Sequence, residues 1–213
     1  MFYYYGRKKR IAGLYREPKH SIIVEPFAGS AAYSLHGDRW KNEVLLFDTN
    51  EHVADVWEYL LSACRKDIEA LPDVLNDELP IGAKKLIGFH LNPGSTQPKL
   101  TPTKFNRWPA GKRYIAENIH KIRHWKFFKE CYSTIENIEA TWFIDPPYQK
   151  AGKYYQKSEI NYNELAVWVK SRKGSVITCD TPEAQWLPFV SLENSTIASI
   201  GKRKLFEGVY YSS

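Results

Sequence analysis

Residues 141–148 read Thr-Trp-Phe-Ile-Asp-Pro-Pro-Tyr, and the fold turns on this octapeptide. Its first half is short, apolar and partly β-branched, which suits a strand buried on both faces, as in a parallel sheet. Its second half cannot continue that strand, because two prolines remove two backbone donors and fix two φ angles. The chain therefore leaves the sheet at an acid. The same grammar recurs on either side. Ser21-Ile22-Ile23-Val24 runs into Glu25-Pro26-Phe27-Ala28-Gly29-Ser30, Glu43-Val44-Leu45-Leu46-Phe47 ends at Asp48, and Ser175-Val176-Ile177-Thr178-Cys179 ends at Asp180. Helical patterns separate these runs, so the expected class is α/β with a mostly parallel sheet.

The chain has 213 residues, enough for one domain, 1–213, with a well-buried core. Hydrophobic and charged fractions of 43% and 25% are ordinary, so the informative departures are a net charge of +6 and 15% aromatic residues. A cationic chain rich in planar side chains suits nucleic acid, although charge alone fits an ordinary basic protein equally well. No run approaches the roughly 18 apolar residues of a membrane helix. The opening MFYYYGRKKR has no apolar core of the signal-peptide kind. Cys64, Cys131 and Cys179 are scattered and odd in number, which favours reduced thiols over a disulfide framework or a zinc site.

In a sheet of this kind ligands lie beyond the C-terminal strand ends. Gly29 permits close backbone approach there, and Asp48 suits a ribose diol because a carboxylate accepts two hydroxyl hydrogen bonds. Together they point to a nucleoside-type cofactor. A lone Pro-Pro is only a rigid strand exit, but Asp145-Pro146-Pro147-Tyr148 meets a specific chemical need. An exocyclic aromatic amine is a poor nucleophile because its lone pair is delocalised into the ring. The Asp145 carboxylate and the Pro146 carbonyl can each accept one N–H and localise that pair, while Tyr148 offers a face for stacking an extruded base. His120 and His124 stand four residues apart near Glu117, but without an H-E-x-x-H order or a further ligand no metal is expected.

Taken in order, five segments resemble the Dam-like DNA adenine-N6 methyltransferases, including their small phage-borne members. They are Tyr4-Tyr5-Gly6-Arg7-Lys8, Glu25 to Ser30, Phe47-Asp48-Thr49-Asn50, Asp145 to Tyr148, and Thr178-Cys179-Asp180-Thr181-Pro182. The resemblance spans nearly the whole chain; Arg7 stands where the family usually has a second glycine. It implies a Rossmann-like S-adenosylmethionine-dependent methyltransferase fold, with a seven-stranded sheet, a terminal antiparallel hairpin and a small helical recognition insert at about 80–130. It implies methyl transfer from S-adenosylmethionine to adenine N6 in double-stranded DNA by base flipping, without a metal. It implies donor contacts from Tyr4, Tyr5, Lys8, Glu25, Phe27, Ala28, Gly29, Asp48 and Asp145, and catalytic roles for Asp145, Pro146, Pro147 and Tyr148. The implied setting is the cytoplasm of a bacterial or phage-infected cell, with no membrane partner and a monomer or weak dimer as the working state.

Elsewhere, Ala31-Ala32 reads as the opening of a helix, and Asn50 as the N-cap of another that carries Val53, Val56, Trp57, Leu60 and Leu61 on one face. Further helices are expected over Asp67–Leu79, Gly111–His124 and Tyr162–Lys170, with a loop at Asn92–Pro109 and a closing hairpin from Thr196–Ile200 and Val209–Ser212. From Lys99 to Lys126 eight Lys or Arg face one acid, Glu117, with Trp108, Tyr114 and Trp125 interleaved. Phosphate contacts are expected from Lys104, Arg107, Lys112 and Arg113. The Lys150–Lys157 loop, with Tyr154 and Tyr155, is a candidate to close over the flipped base. The rival readings are RNA amine methylation by the same tetrapeptide and a nucleic-acid-binding relative without turnover.

Overall fold

A computed structural model describes residues 1–149, 160–200 and 203–212; the expected Lys150–Lys157 loop lies outside them. Seven strands form one sheet: β1 (Ile22–Glu25), β2 (Glu43–Phe47), β3 (Lys126–Phe128), β4 (Ala140–Ile144), β5 (Gly174–Asp180), β6 (Val190–Ile200) and β7 (Arg203–Ser212). Their spatial order is β3-β2-β1-β4-β5-β7-β6. The first five strands in that order run parallel, and β7 is antiparallel to both β5 and β6. Central strands covered on both faces need apolar residues throughout, and all five residues of β4 are buried. This is the α/β, Rossmann-like methyltransferase architecture expected, closed by its hairpin. The chain steps outward from β1 to β2 and β3, then returns to place β4 on the other side of β1. The β1/β4 boundary is therefore the switch point at which an open sheet presents a crevice.

Helix α1 (Glu51–Ser62) starts as its cap predicts, with the Asn50 side chain accepting from His52 N at 2.9 Å. Val53, Val56, Trp57 and Leu60 are buried on its inner face. Helices α2 (Arg65–Ala70), α3 (Ile81–Leu91) and α4 (Trp108–Asn118) follow, and α5 (Tyr162–Lys170) precedes β5. Phe89 of α3 and Trp108 and Ile115 of α4 share one core with Val53 and Trp57, so the 80–130 segment is packed into the domain rather than appended to it. It ends in β3, a strand of the sheet itself.

Several expected boundaries move. No helix opens at Ala31-Ala32, because Gly29 and Ala31 both adopt positive φ (46° and 49°), which interrupts a right-handed run. The helix expected over Asp67–Leu79 is α2 alone and stops before Pro72. The Gly111–His124 helix begins earlier, at Trp108, and gives way to a 3-10 turn at Ile119–Ile122. The hairpin strands are longer than expected and bulged between Ser191 and Ala198.

Candidate active site

At the C-terminal ends of β1, β2 and β4 lies a cavity of about 360 Å³, within the range of small-molecule sites. Its lining includes Tyr4, Tyr5, Lys8, Glu25, Phe27, Ala28, Gly29, Asp48, Asp145 and Pro147. The sequence-predicted donor residues thus converge on one concavity.

The wall built from β1 and β2 is stitched by backbone. Ala28 N donates to Phe47 O at 2.9 Å, Gly29 N to Asp48 Oδ2 at 2.9 Å, and Asn50 N to Asp48 Oδ1 at 2.9 Å. Gly29 is required twice over: its φ is +46°, and a Cβ there would lie 3.2 Å from Cδ1 of Tyr4. Tyr4 is itself packed edge-on to Phe89 of α3 and accepts from Asn50 Nδ2 at 3.2 Å. Trp57 Nε1 donates to Gly29 O at 2.8 Å, fastening α1 to the same turn. Burial pushes Asp48 up to about 6 against the pull of its backbone donors. Burial likewise pushes Glu25 up to about 7, although Ser34 donates to its Oε1 through N (3.0 Å) and Oγ (2.5 Å). On the far side Phe27 packs against Tyr132 with ring centroids 5.4 Å apart.

The tetrapeptide follows β4 and is gripped from outside. Tyr162 of α5 donates to Pro147 O at 2.6 Å, and Gln149 N donates to Asp180 Oδ2 at 3.2 Å. Asp180, at the end of β5, is fully buried and also accepts from Thr181 N at 2.6 Å and Trp186 Nε1 at 2.7 Å. The motif at Thr178–Pro182 thus acts as a clamp on Gln149, the residue after Tyr148.

Asp145 belongs to a cluster of charges. Lys8 Nζ lies 3.0 Å from Asp145 Oδ1 and 3.4 Å from Glu207 Oε1, and it donates to Tyr148 Oη at 2.5 Å. Tyr148 in turn donates to Glu207 Oε1 at 2.5 Å, as does Tyr15 at 2.8 Å. Burial drives Asp145 up to about 6; Lys8 opposes that shift and Glu207 adds to it. Burial alone would lower Lys8, but Asp145 and Glu207 raise it further, so it stays charged. Among the described residues, Asp145, Cys179 and Glu207 form the one grouping with metal-ligand chemistry, and the Lys8 ammonium supplies positive charge at that spot.

Lys8 lines the cavity, while its ammonium is buried and bound to two carboxylates, the condition under which a buried charge is tolerated. Lys8 Nζ also stands 4.4 Å from the ring centroid of Tyr148, on one side of the ring. Arg7 takes an ordinary φ of −52°, and Gly6 carries the left-handed turn at φ 75°, so no second glycine is needed for that turn.

Of the expected phosphate-binding residues, Lys104, Arg107 and Arg113 are exposed. Lys112 is engaged internally, 2.7 Å from Asp73 and donating to Leu71 O at 2.9 Å. Arg123 caps the end of α1 through the carbonyls of Leu60, Leu61 and Ala63. His120 packs edge-on to Trp40 while His124 Nε2 meets Asn42 O at 3.0 Å, so the pair does not converge as metal ligands. The sequence reading missed Glu207, Tyr15, Tyr132 and Lys9. Lys9 is exposed and lies 4.4 Å from the ring centroid of Tyr114, the neighbour of Arg113. The signal for Glu207 was an acid in the middle of Leu205-Phe206-Glu207-Gly208-Val209-Tyr210, otherwise a strand for the sheet interior.

No curated protein matches the chain. A solved structure described as a conserved hypothetical protein from Streptococcus pyogenes aligns with 90% of this chain and 86% of that one, at 10% identity and a TM-score of 0.38, too distant to inform function. The family model of the D12 class N6 adenine-specific DNA methyltransferases matches residues 4–183, from the first cavity residue to the clamp beyond β5. The chain belongs to that family.

Proposed function

We propose that the protein transfers a methyl group from S-adenosylmethionine to N6 of an adenine flipped out of double-stranded DNA. One observation carries this reading: a single cavity joins the Gly29–Asp48 wall to Asp145, so a nucleoside-type donor and an amine acceptor would meet there. The residues present fit that donor. Asp48 keeps a lone pair on each oxygen beyond its backbone bonds for ribose hydroxyls. Phe27 and Tyr132, packed against each other, give the cavity an aromatic wall for a planar base, and the Gly29 turn admits close backbone approach. When bound, the donor supplies an electrophilic methyl on a sulfonium.

The chain does the rest. The Asp145 carboxylate and the Pro146 carbonyl accept the two amine N–H bonds, and they do so without rearranging because Tyr162 and Asp180 already hold the loop. Positive charge that develops on the amine is stabilised by Asp145, which must be ionised. Tyr148 packs the target base with the face that Lys8 does not cover. The exposed cations Lys9, Lys104, Arg107 and Arg113 contribute contacts to the DNA backbone.

The test is to incubate the protein with methyl-labelled donor and duplex DNA of mixed sequence and to digest the product to nucleosides. Label in N6-methyl-2′-deoxyadenosine is expected, and it should vanish with Asp145→Ala. Label found only in structured RNA, or in neither polymer, would sink the reading.

A further inference from the structure

Glu207 enters the catalytic corner from β7, far in sequence from Asp145 and Lys8. Its side chain has no exposed surface. Oε1 takes both phenols and faces Lys8, while Oε2 is buried without a hydrogen-bond partner among the described residues. A buried carboxylate with one oxygen left unsatisfied is costly, and Tyr15, Tyr148 and Lys8 converging on the other oxygen do not remove that cost. Charge counting suggests what the cost sustains. Lys8 and Asp145 alone make a neutral pair 3.0 Å apart, in which the ammonium offsets the carboxylate that an amine acceptor needs. With Glu207 ionised, two negative groups face one positive group and the cluster is net negative. Cys179, the remaining group in the corner, is held in its neutral thiol form by burial and by both carboxylates.

We propose that Glu207 is a positioning residue for methyl transfer, which neutralises Lys8 and fixes the Tyr148 phenol so that Asp145 acts as an uncompensated carboxylate. The same net charge biases the adjoining cavity towards a cationic sulfonium donor over its neutral thioether product. This rests on the proposed function above.

The experiment compares wild type, Glu207→Gln and the double variant Lys8→Met/Glu207→Gln in the full chain. It reads kcat, KM for duplex DNA, and the calorimetric ratio of Kd values for S-adenosylmethionine and S-adenosylhomocysteine. Glu207→Gln keeps an acceptor for the phenols but not the charge; it should lower kcat about 30-fold with KM for DNA within about twofold, and shift the donor preference about fivefold towards product. In the double variant Asp145 is again uncompensated, so the donor preference should return and kcat should recover to within about tenfold of wild type. The double variant also serves if Glu207→Gln alone does not fold, because it strands no buried ammonium. A Glu207→Gln protein that keeps the wild-type donor preference, or a double variant without that preference or as slow as a folded single one, overturns the proposal alone. Wild-type protein that binds neither ligand and methylates no DNA overturns the functional reading and the proposal with it.

Discussion

The two halves of the cavity are built on different principles. The β1/β2 half is made of two short segments, the turn through Gly29 and the strand end at Asp48, bound by backbone N–H groups. The β4/β5/β7 half is made of side chains drawn from residue 8 to residue 207 and bound by charge. The first holds its shape because backbone geometry permits little else. The second holds only while its charges balance. Substitutions in the first half should therefore change donor affinity and spare turnover, whereas those in the second should act mainly on turnover and touch donor affinity only through net charge.

The sharpest way to break that division is Asp145→Ala. It should cost about 10³-fold in kcat, by the scale of losing a preorganised polar group at a reacting centre. Its donor affinity, measured by calorimetry, should fall far less; an equal loss in both would erase the distinction between the halves. Gly29→Val should act in the opposite sense, raising the donor Kd about tenfold or more through the left-handed strain and the clash with Tyr4. Saturating donor should restore most of its kcat. Asp180→Asn weakens the clamp on Gln149 and Trp186 without touching a ligand, and a loss of about fivefold in kcat is expected from that softer hydrogen bonding.

The smallest effect on activity concerns Glu25, whose carboxyl is raised by burial to about 7 from an ordinary value near 4.5. A carboxyl raised on folding stabilises fully below its unfolded pKa, and that contribution is lost as pH rises through its folded pKa. Glu25→Gln should therefore gain stability relative to wild type between about pH 4.5 and 7, by up to roughly 3 kcal/mol, and hold the gain above that window. Thermal melts at pH 5 and pH 8 would show it; an unchanged difference between the two proteins would mean that burial does not control this carboxyl. Turnover itself should fall below about pH 6 as Asp145 is protonated. The donor Kd should show its own acid limb near the same pH, from Asp48, and Asp48→Asn should remove that limb while leaving the one in turnover.

What was legible in the sequence follows the same division. The strands ending in acids, the Gly29 turn, the Asn50 cap and the tetrapeptide are local patterns, and each appeared where it was read. Helix α3 was invisible because Gly82, Ala83 and Leu86 to Leu91 are all buried, so no polar face marks its period. Its glycines look like breakers, yet they are where it meets other chain: a Cβ on Gly82 would lie 2.2 Å from Asp55 O of α1. The three-residue β3 is too short to carry an alternation. The ion pairs of Lys8 were not legible, because only the tertiary arrangement brings Glu207 beside it. Lys112 and Arg123 were likewise counted with the basic surface, whereas acids and helix carbonyls elsewhere in the chain claim them.

The packing of Tyr4 between the Gly29 turn and Phe89 limits how such an enzyme can be re-engineered. Specificity is often altered by grafting one protein's recognition segment onto another's catalytic scaffold. Here α3, within the stretch that such a graft would replace, is also the wall that holds an aromatic ring over the donor turn. A transplanted segment would have to reproduce Phe89 and the glycine contacts of α3 before any change in target choice could be observed. If the 80–130 segment reads DNA as proposed, retargeting is better attempted by point changes on the outer face of α4 than by exchange of parts.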